Sequence, residues 1–188
     1  MRQVKDGSEN MLFERIQASG VGLTIGSIGG STVNNITFRD CNMHHTYKGI
    51  YMKFRGNGLI SNVVYENIVM DEPEQYAIWV GPAQQSDSND LCAAHPCSIC
   101  WPTDPWAKCG APSGGKYINI TLRNITINNP KGDIGVILAN ETTPMENLVL
   151  DNVVVNNPGS KKWVACAGAG NAKATGTTSP VPSCVQKV

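Results

Sequence analysis

The chain has 188 residues, 41% hydrophobic and 16% charged, which suits one continuously cored globular domain and excludes a disordered polyelectrolyte. Fifteen basic and fifteen acidic residues cancel, so no global field draws nucleic acid or an anionic membrane, and any charged ligand must be caught locally. No run approaches the roughly twenty apolar residues that span a bilayer.

The opening Met1-Arg2-Gln3-Val4-Lys5-Asp6-Gly7 lacks the apolar core of a signal peptide. Seven cysteines, four of them crowded between residues 92 and 109, nevertheless point to an oxidising compartment and a secreted protein. The two observations agree if the chain starts inside a longer ancestral protein. Asn-x-Ser/Thr sequons at Asn35, Asn119, Asn124 and Asn140 are candidate glycosylation sites, although Asn-Ile-Thr is also part of an internal repeat.

That repeat organises the chain. A first strand set aligns as Met11–Glu14, Ile36–Arg39, Val63–Glu66, Ile120–Arg123 and Leu148–Asp151, each preceded by an asparagine (Asn10, Asn35, Asn62, Asn119, Asn147) at intervals of 25, 27, 57 and 28. A second polar column follows at Asp40, Asn67, Asn124 and Asn152. A second strand set runs through Gly20–Gly29, Gly49–Phe54, Tyr76–Gly81, Gly135–Ala139 and Trp163–Ala167. Alternation puts Ile36, Phe38, Cys41 and Met43 on one face, with Val63, Tyr65, Ile68 and Met70 at the matching places of the next repeat.

Short strands recurring with this period cannot bury their apolar faces singly, so they stack as a solenoid. The expected fold is all-β: a right-handed parallel β-helix of about five coils over residues 1–165, with asparagine ladders at the bends. A β-sandwich is the alternative, but hairpin dipeptides are scarce, Asn57-Gly58 being the one Asn-Gly. Residues 82–116 interrupt the period as a Cys-rich loop. Cys92, Cys97, Cys100 and Cys109, with His95 nearby, allow a zinc knuckle, but two disulfides pinning the loop are the plainer reading. Residues 166–188 read as an irregular tail, tied back if Cys184 bonds Cys166. Cys41 lies inward as a free core thiol. The uncapped first coil offers an edge for self-association.

On the second strand set, Tyr51, Lys53 and Trp79 fall on the outer face of neighbouring coils. Aromatic rings beside a cation can stack on a sugar and hold a carboxylate; an alternative of equal weight is that they shield apolar surface between coils. His44 and His45 precede this strand in a turn, and His45 is a further candidate for the same groove. Glu14 faces Arg39, and Arg123 lies between Glu66 and Asp151, as cross-strand ion pairs. Asp71, Glu72 and Glu74 read as solvated turn residues.

The runs Val4-Lys5-Asp6-Gly7-Ser8-Glu9-Asn10-Met11-Leu12, Gly20-Val21-Gly22-Leu23-Thr24-Ile25-Gly26-Ser27-Ile28-Gly29 and Gly49-Ile50-Tyr51-Met52-Lys53 resemble the C-terminal half of glycoside hydrolase family 28, the polygalacturonases. The resemblance covers most of residues 4–165 outside the Cys-rich loop. It implies a pectin-lyase-like β-helix, a secreted cell-wall-active ancestor and inverting hydrolysis of galacturonan, in which one carboxylic acid protonates the leaving oxygen while carboxylates activate water. It also implies departures. The family's catalytic aspartates precede the segment matching Val4-Lys5. Its Gly-His-Gly motif is Gly20-Val21-Gly22 here, its Arg-Ile-Lys motif is Tyr51-Met52-Lys53, and its active-site tyrosine falls near Gln84. Only Lys53 survives among the matched site residues.

Two functions follow as expectations: a polysaccharide hydrolase by descent, or a non-catalytic carbohydrate-binding β-helix using Lys53, Tyr51, Trp79 and His45. The expected partner is an acidic polysaccharide, and neither nucleic acid nor membrane. No residue pattern calls for a metal or cofactor.

Overall fold

The computed structural model describes residues 7–188. The signal-peptide expectation for the opening residues and the Val4-Lys5-Asp6 start of the family resemblance lie outside the described residues.

Sixteen strands follow in chain order: β1 (Gly7–Glu14), β2 (Gln17–Ala18), β3 (Leu23–Ile28), β4 (Thr32–His44), β5 (Lys48–Phe54), β6 (Gly58–Asp71), β7 (Tyr76–Pro82), β8 (Gln84–Gln85), β9 (Cys97–Ser98), β10 (Gly115–Asn128), β11 (Asp133–Leu138), β12 (Met145–Asn156), β13 (Trp163–Ala167), β14 (Ala169–Gly170), β15 (Lys173–Thr175) and β16 (Gln186–Lys187). The first sheet runs β1-β4-β6-β10-β12-β15-β16 and the second runs β13-β11-β7-β5-β3, every named pairing being parallel. The chain alternates between the two sheets, so the architecture is a right-handed parallel β-helix of about six turns.

The long strands of the first sheet bend where polar residues adopt positive φ. Asn10, Asn35, Asn62, Asn119 and Asn147 lie between 54° and 58°, and Asp40, Asn67, Asn124 and Asn152 between 52° and 55°. Asparagine and aspartate tolerate this left-handed backbone better than other non-glycine residues. Each bend resets the side-chain alternation, which is why both Phe38 and Cys41 point inward across Asp40. The asparagines also bond along the stack: Asn67 Nδ2 donates to Asp40 Oδ1 (2.9 Å), Asn124 Nδ2 to Asn67 Oδ1 (3.1 Å), and Asn152 Nδ2 to Asn124 Oδ1 (3.2 Å). A third bend column, unread from the sequence, consists of His45, Glu72, Asn129 and Asn157, with φ from 48° to 54°.

Like residues stack inside. Register pairs Ile36 with Val63, Phe38 with Tyr65, Cys41 with Ile68 and Met43 with Met70, all buried. The Phe13, Phe38 and Tyr65 rings lie face to face at 4.8 and 4.7 Å between centroids, the offset-stacking range that adds to simple burial. Outside, the column Glu14, Arg39, Glu66, Arg123, Asp151 alternates in sign, with Arg39 Nε donating to Glu14 (2.9 Å) and Arg123 Nε to Asp151 (3.2 Å).

The tail differs from its expectation. Residues 173–175 pair in parallel with β12, and the bend columns continue at Asn171 (φ 55°) and Gly176 (φ 60°). The tail is therefore a further coil. Its buried residues, Ala172, Ala174, Thr178 and Val185, are small or widely spaced and do not register as an apolar repeat. The disulfide Cys166–Cys184 closes it.

Candidate functional site

The outer face of the second sheet carries the candidate site, and a change of alternation along β5 builds it. Ile50, Met52 and Phe54 point into the core while Tyr51 and Lys53 point out. A Cβ on Gly49 would strike the core atom Met70 Sδ, so two successive positions, 49 and 50, face inward. Lys48 is thereby returned to the outer face with Tyr51. Strict alternation places Lys48 inside, which is why sequence reasoning missed it. Two glycines of β3 and its approach admit β5 closely: a Cβ on Gly22 (φ 81°) would overlap the Lys48 and Gly49 carbonyls, and one on Gly26 (φ 109°) the Lys53 carbonyl.

The register brings Tyr51 beside Trp79 and Lys53 beside Gly81. Trp79 does not present a ring to solvent. It is fully buried, with Tyr51 at 6.0 Å, Tyr76 at 5.1 Å and Trp101 of the Cys-rich loop at 5.9 Å, all edge-on, and its Nε1 donates to the Pro82 carbonyl at 3.0 Å. The Cys-rich loop folds back over the Trp79 ring through Trp101. Tyr51 is also largely covered, 4% exposed, and the Gln84 backbone bonds its hydroxyl. Tyr51 and Trp79 are thus chiefly the shield between coils.

Two lysines flank that shield. Lys53 Nζ sits 4.1 Å from the Tyr51 ring centre. Lys48 Nζ, on a residue only 8% exposed, lies 4.9 Å from Tyr51 and 5.6 Å from both Tyr76 and Trp79, and donates to Gln75 Oε1 at 3.0 Å. Neither lysine has a carboxylate partner among the described residues. Burial, with a smaller push from Lys53, lowers Lys48 to about 8, and burial lowers Lys53 as well. Burial also raises Tyr51 and Tyr76 to about 12. Below them, Tyr117 braces the same place from inside: its hydroxyl is 3.0 Å from the Met52 carbonyl and 2.8 Å from the Gly81 carbonyl.

His45 is elsewhere. It occupies the third bend column, its Nδ1 3.5 Å from Glu72 Oε2. It lies before the start of β5, whose other end carries Lys53, about 16 Å along the strand from Lys48. A bend at positive φ places His45 beside Glu72, which also pairs with Lys131. Of the acidic turn residues, Asp71 pairs with His44 (3.2 Å) and accepts from Asn128 Nδ2 (2.8 Å). The sequon asparagines Asn35, Asn119 and Asn124 each donate Nδ2 to a neighbouring rung, and Asn140 donates to the Ala111 carbonyl. In the loop, Cys92 bonds Cys100 and Cys97 bonds Cys109, which takes the thiolates a zinc knuckle would need; Cys41 is free and buried.

Two of the described carboxylates are held below the usual carboxylate range by a cationic partner. Glu14 is held down by its bond from Arg39 and Glu72 by its bond from Lys131.

Comparison with known proteins is consistent with this β-helix. The model of "Glycosyl hydrolases family 28" matches residues 3–175. A polygalacturonase of Brassica napus is 24% identical over 167 residues, covering 83% of this chain and 37% of that protein. A probable endopolygalacturonase A of Aspergillus niger is 30% identical over 128 residues, 64% of this chain and 30% of its own. A probable endopolygalacturonase C of Aspergillus aculeatus is 34% identical over 79 residues, 39% and 21%. The chain thus spans little more than a third, or less, of the relatives it matches. Since the family match runs through nearly all of the coils described above, this chain belongs to glycosyl hydrolases family 28.

Proposed function

We propose that this chain binds an acidic polysaccharide of the galacturonan type along the outer face of its second sheet, with Lys53 as the principal carboxylate contact. The observation that carries the reading is a cationic pair without carboxylate partners among the described residues, Lys53 over the Tyr51 ring and Lys48 behind it. A desolvated ammonium beside aromatic rings favours an incoming carboxylate, because the anion replaces solvation that burial has removed. Family membership supports polysaccharide as the ligand class, and three disulfides support an extracellular setting.

Hydrolysis is the second reading, favoured by descent from a polygalacturonase-type lineage. It needs an acid and a water-activating carboxylate set across the sugar ring. Glu14, Asp71, Glu72 and Asp151 are instead engaged with Arg39, His44, His45, Arg123 and Lys131. We assign turnover, where it occurs, to carboxylates other than these.

The test is polygalacturonate binding by calorimetry, run beside a reducing-end assay, for the oxidised wild type and Lys53→Ala. Binding that weakens about tenfold in Lys53→Ala, with no sugar released by either protein, is the expected result. Release by the wild type that is lost in Lys53→Ala would establish the hydrolase reading. Equal affinity of the two proteins would sink the site assignment.

A further inference from the structure

The Cys-rich loop displays a large apolar side chain that the shield over Trp79 does not use. Trp106 is 85% exposed, the most exposed large hydrophobic residue among those described. Leaving an indole in water is unfavourable unless it serves a contact. Its backbone is held in place. The Trp106 N–H donates to Asp104 Oδ1 at 2.8 Å, the Ala107 N–H to the Asp104 carbonyl at 3.1 Å, and the Lys108 N–H to the Cys92 carbonyl at 3.1 Å. The turn lies between Cys100 and Cys109, each cross-linked to a different cysteine. An aromatic platform fixed in this way loses little freedom on binding a ligand.

Both signs of charge lie near it, Asp104 within the turn and Lys108 just after it. Lys108 is two residues from Trp106, within about 7 Å along the chain. With His95 it lines an open cleft of about 440 Å³ that also touches Pro96 and Gly110. Neither Lys108 nor His95 has a carboxylate partner among the described residues. The acid of the same turn, Asp104, fixes the platform: its Oδ1 accepts the Trp106 N–H, while its Oδ2 has no hydrogen-bond donor among the described residues, since the nearby Cys92 sulfur is in a disulfide. The loop also adjoins the first site directly. It departs from the end of β7, where Gly81 pairs with Lys53, and its Gln84 backbone bonds the Tyr51 hydroxyl while Gln84 Nε2 holds the Trp101 carbonyl at 2.7 Å.

We propose that Trp106, with Lys108 and His95, forms a second subsite for a uronic-acid residue, the pyranose ring stacking on the indole and its carboxylate meeting the Lys108–His95 cleft. An acidic glycan held at Lys53 then continues onto the loop. This extends the binding reading given above and rests on it.

The experiment compares a short oligogalacturonate, long enough for the Lys53 site alone, with a long one, by calorimetry on the oxidised chain. The proteins are wild type, Trp106→Ala, Trp106→Tyr and Lys53→Ala. Because Trp106 is exposed, its variants keep the thermal midpoint of the wild type. Trp106→Ala is expected to lose about three- to tenfold in affinity for the long ligand and nothing for the short one, with Trp106→Tyr recovering most of the loss. Lys53→Ala weakens both ligands. Unchanged affinity of Trp106→Ala for both, beside a weakened Lys53→Ala, would overturn the second subsite and leave the first site standing. Equal loss on both ligands would also overturn it, placing Trp106 in the first site. A wild type that binds neither would overturn the underlying reading and the subsite with it.

Discussion

Lys48 shows how a single buried charge couples the site to stability. Burial holds it near 8 in the folded chain, against 10.5 for the free amine. Between those values the unfolded chain binds more protons than the folded one, so stability rises with pH across this window, by at most about 3 kcal/mol. Tyr51 and Tyr76, raised from 10.0 to about 12, act in the opposite sense. Above pH 10 the unfolded chain sheds their protons first and stability falls. Urea unfolding as a function of pH should therefore give a maximum near 10. In Lys48→Met the rising limb should shrink to the weaker contribution of Lys53; an undiminished limb would show that Lys48 is not its source. None of this was legible in the sequence, because alternation counts Lys48 as inward and only the two successive inward positions at Gly49 and Ile50 reveal otherwise. The neighbouring Tyr51, Lys53 and Trp79 were legible as one cluster, since they follow from register alone, but their burial was not: it depends on Trp101 returning from a loop of no regular period.

At the scale of the strand, the bends join two functions in one side chain. Asn67 adopts φ 55°, donates to Asp40 and accepts from Asn124. Asn67→Ala loses both ladder bonds and meets the left-handed penalty of an alanine, for a combined loss of about 2–3 kcal/mol. Asn67→Gly removes only the bonds and should lose about half as much. Denaturant unfolding of the two variants separates backbone strain from hydrogen bonding, and equal losses would assign the whole effect to the ladder. The first two columns could be read from spaced asparagines. The third could not, because His45 and Glu72 fill two of its places, and neither residue type advertises a bend.

The whole molecule is a stack in which each coil touches only its neighbours, so stability varies along its axis. At one end, Met11, Leu12 and Phe13 of β1 are partly exposed. At the other, the tail coil contributes Ala172, Ala174 and Val185 to the core and is closed by Cys166–Cys184. A bridge spanning 18 residues contributes about 3 kcal/mol by limiting the unfolded chain. In the Cys166→Ala/Cys184→Ala double variant, amide exchange should accelerate in β14, β15 and β16 while β6 and β10 keep wild-type protection. Uniform acceleration through all strands would mean that the stack opens as one unit. The central coils were legible because their apolar residues repeat at matching positions. The final coil was hidden by its alanines.

The outer column Glu14, Arg39, Glu66, Arg123, Asp151 gives this stack a means of proofreading. Coils of such similar sequence invite a chain to skip one during folding, since the apolar interior would accept a neighbour but one almost as well as a neighbour. The alternation of sign does not accept it: a skipped coil sets Glu14 against Glu66, or Arg39 against Arg123, like charge facing like across the ladder. Pairs that add little to the finished structure at the surface thus penalise a register in which a coil is skipped.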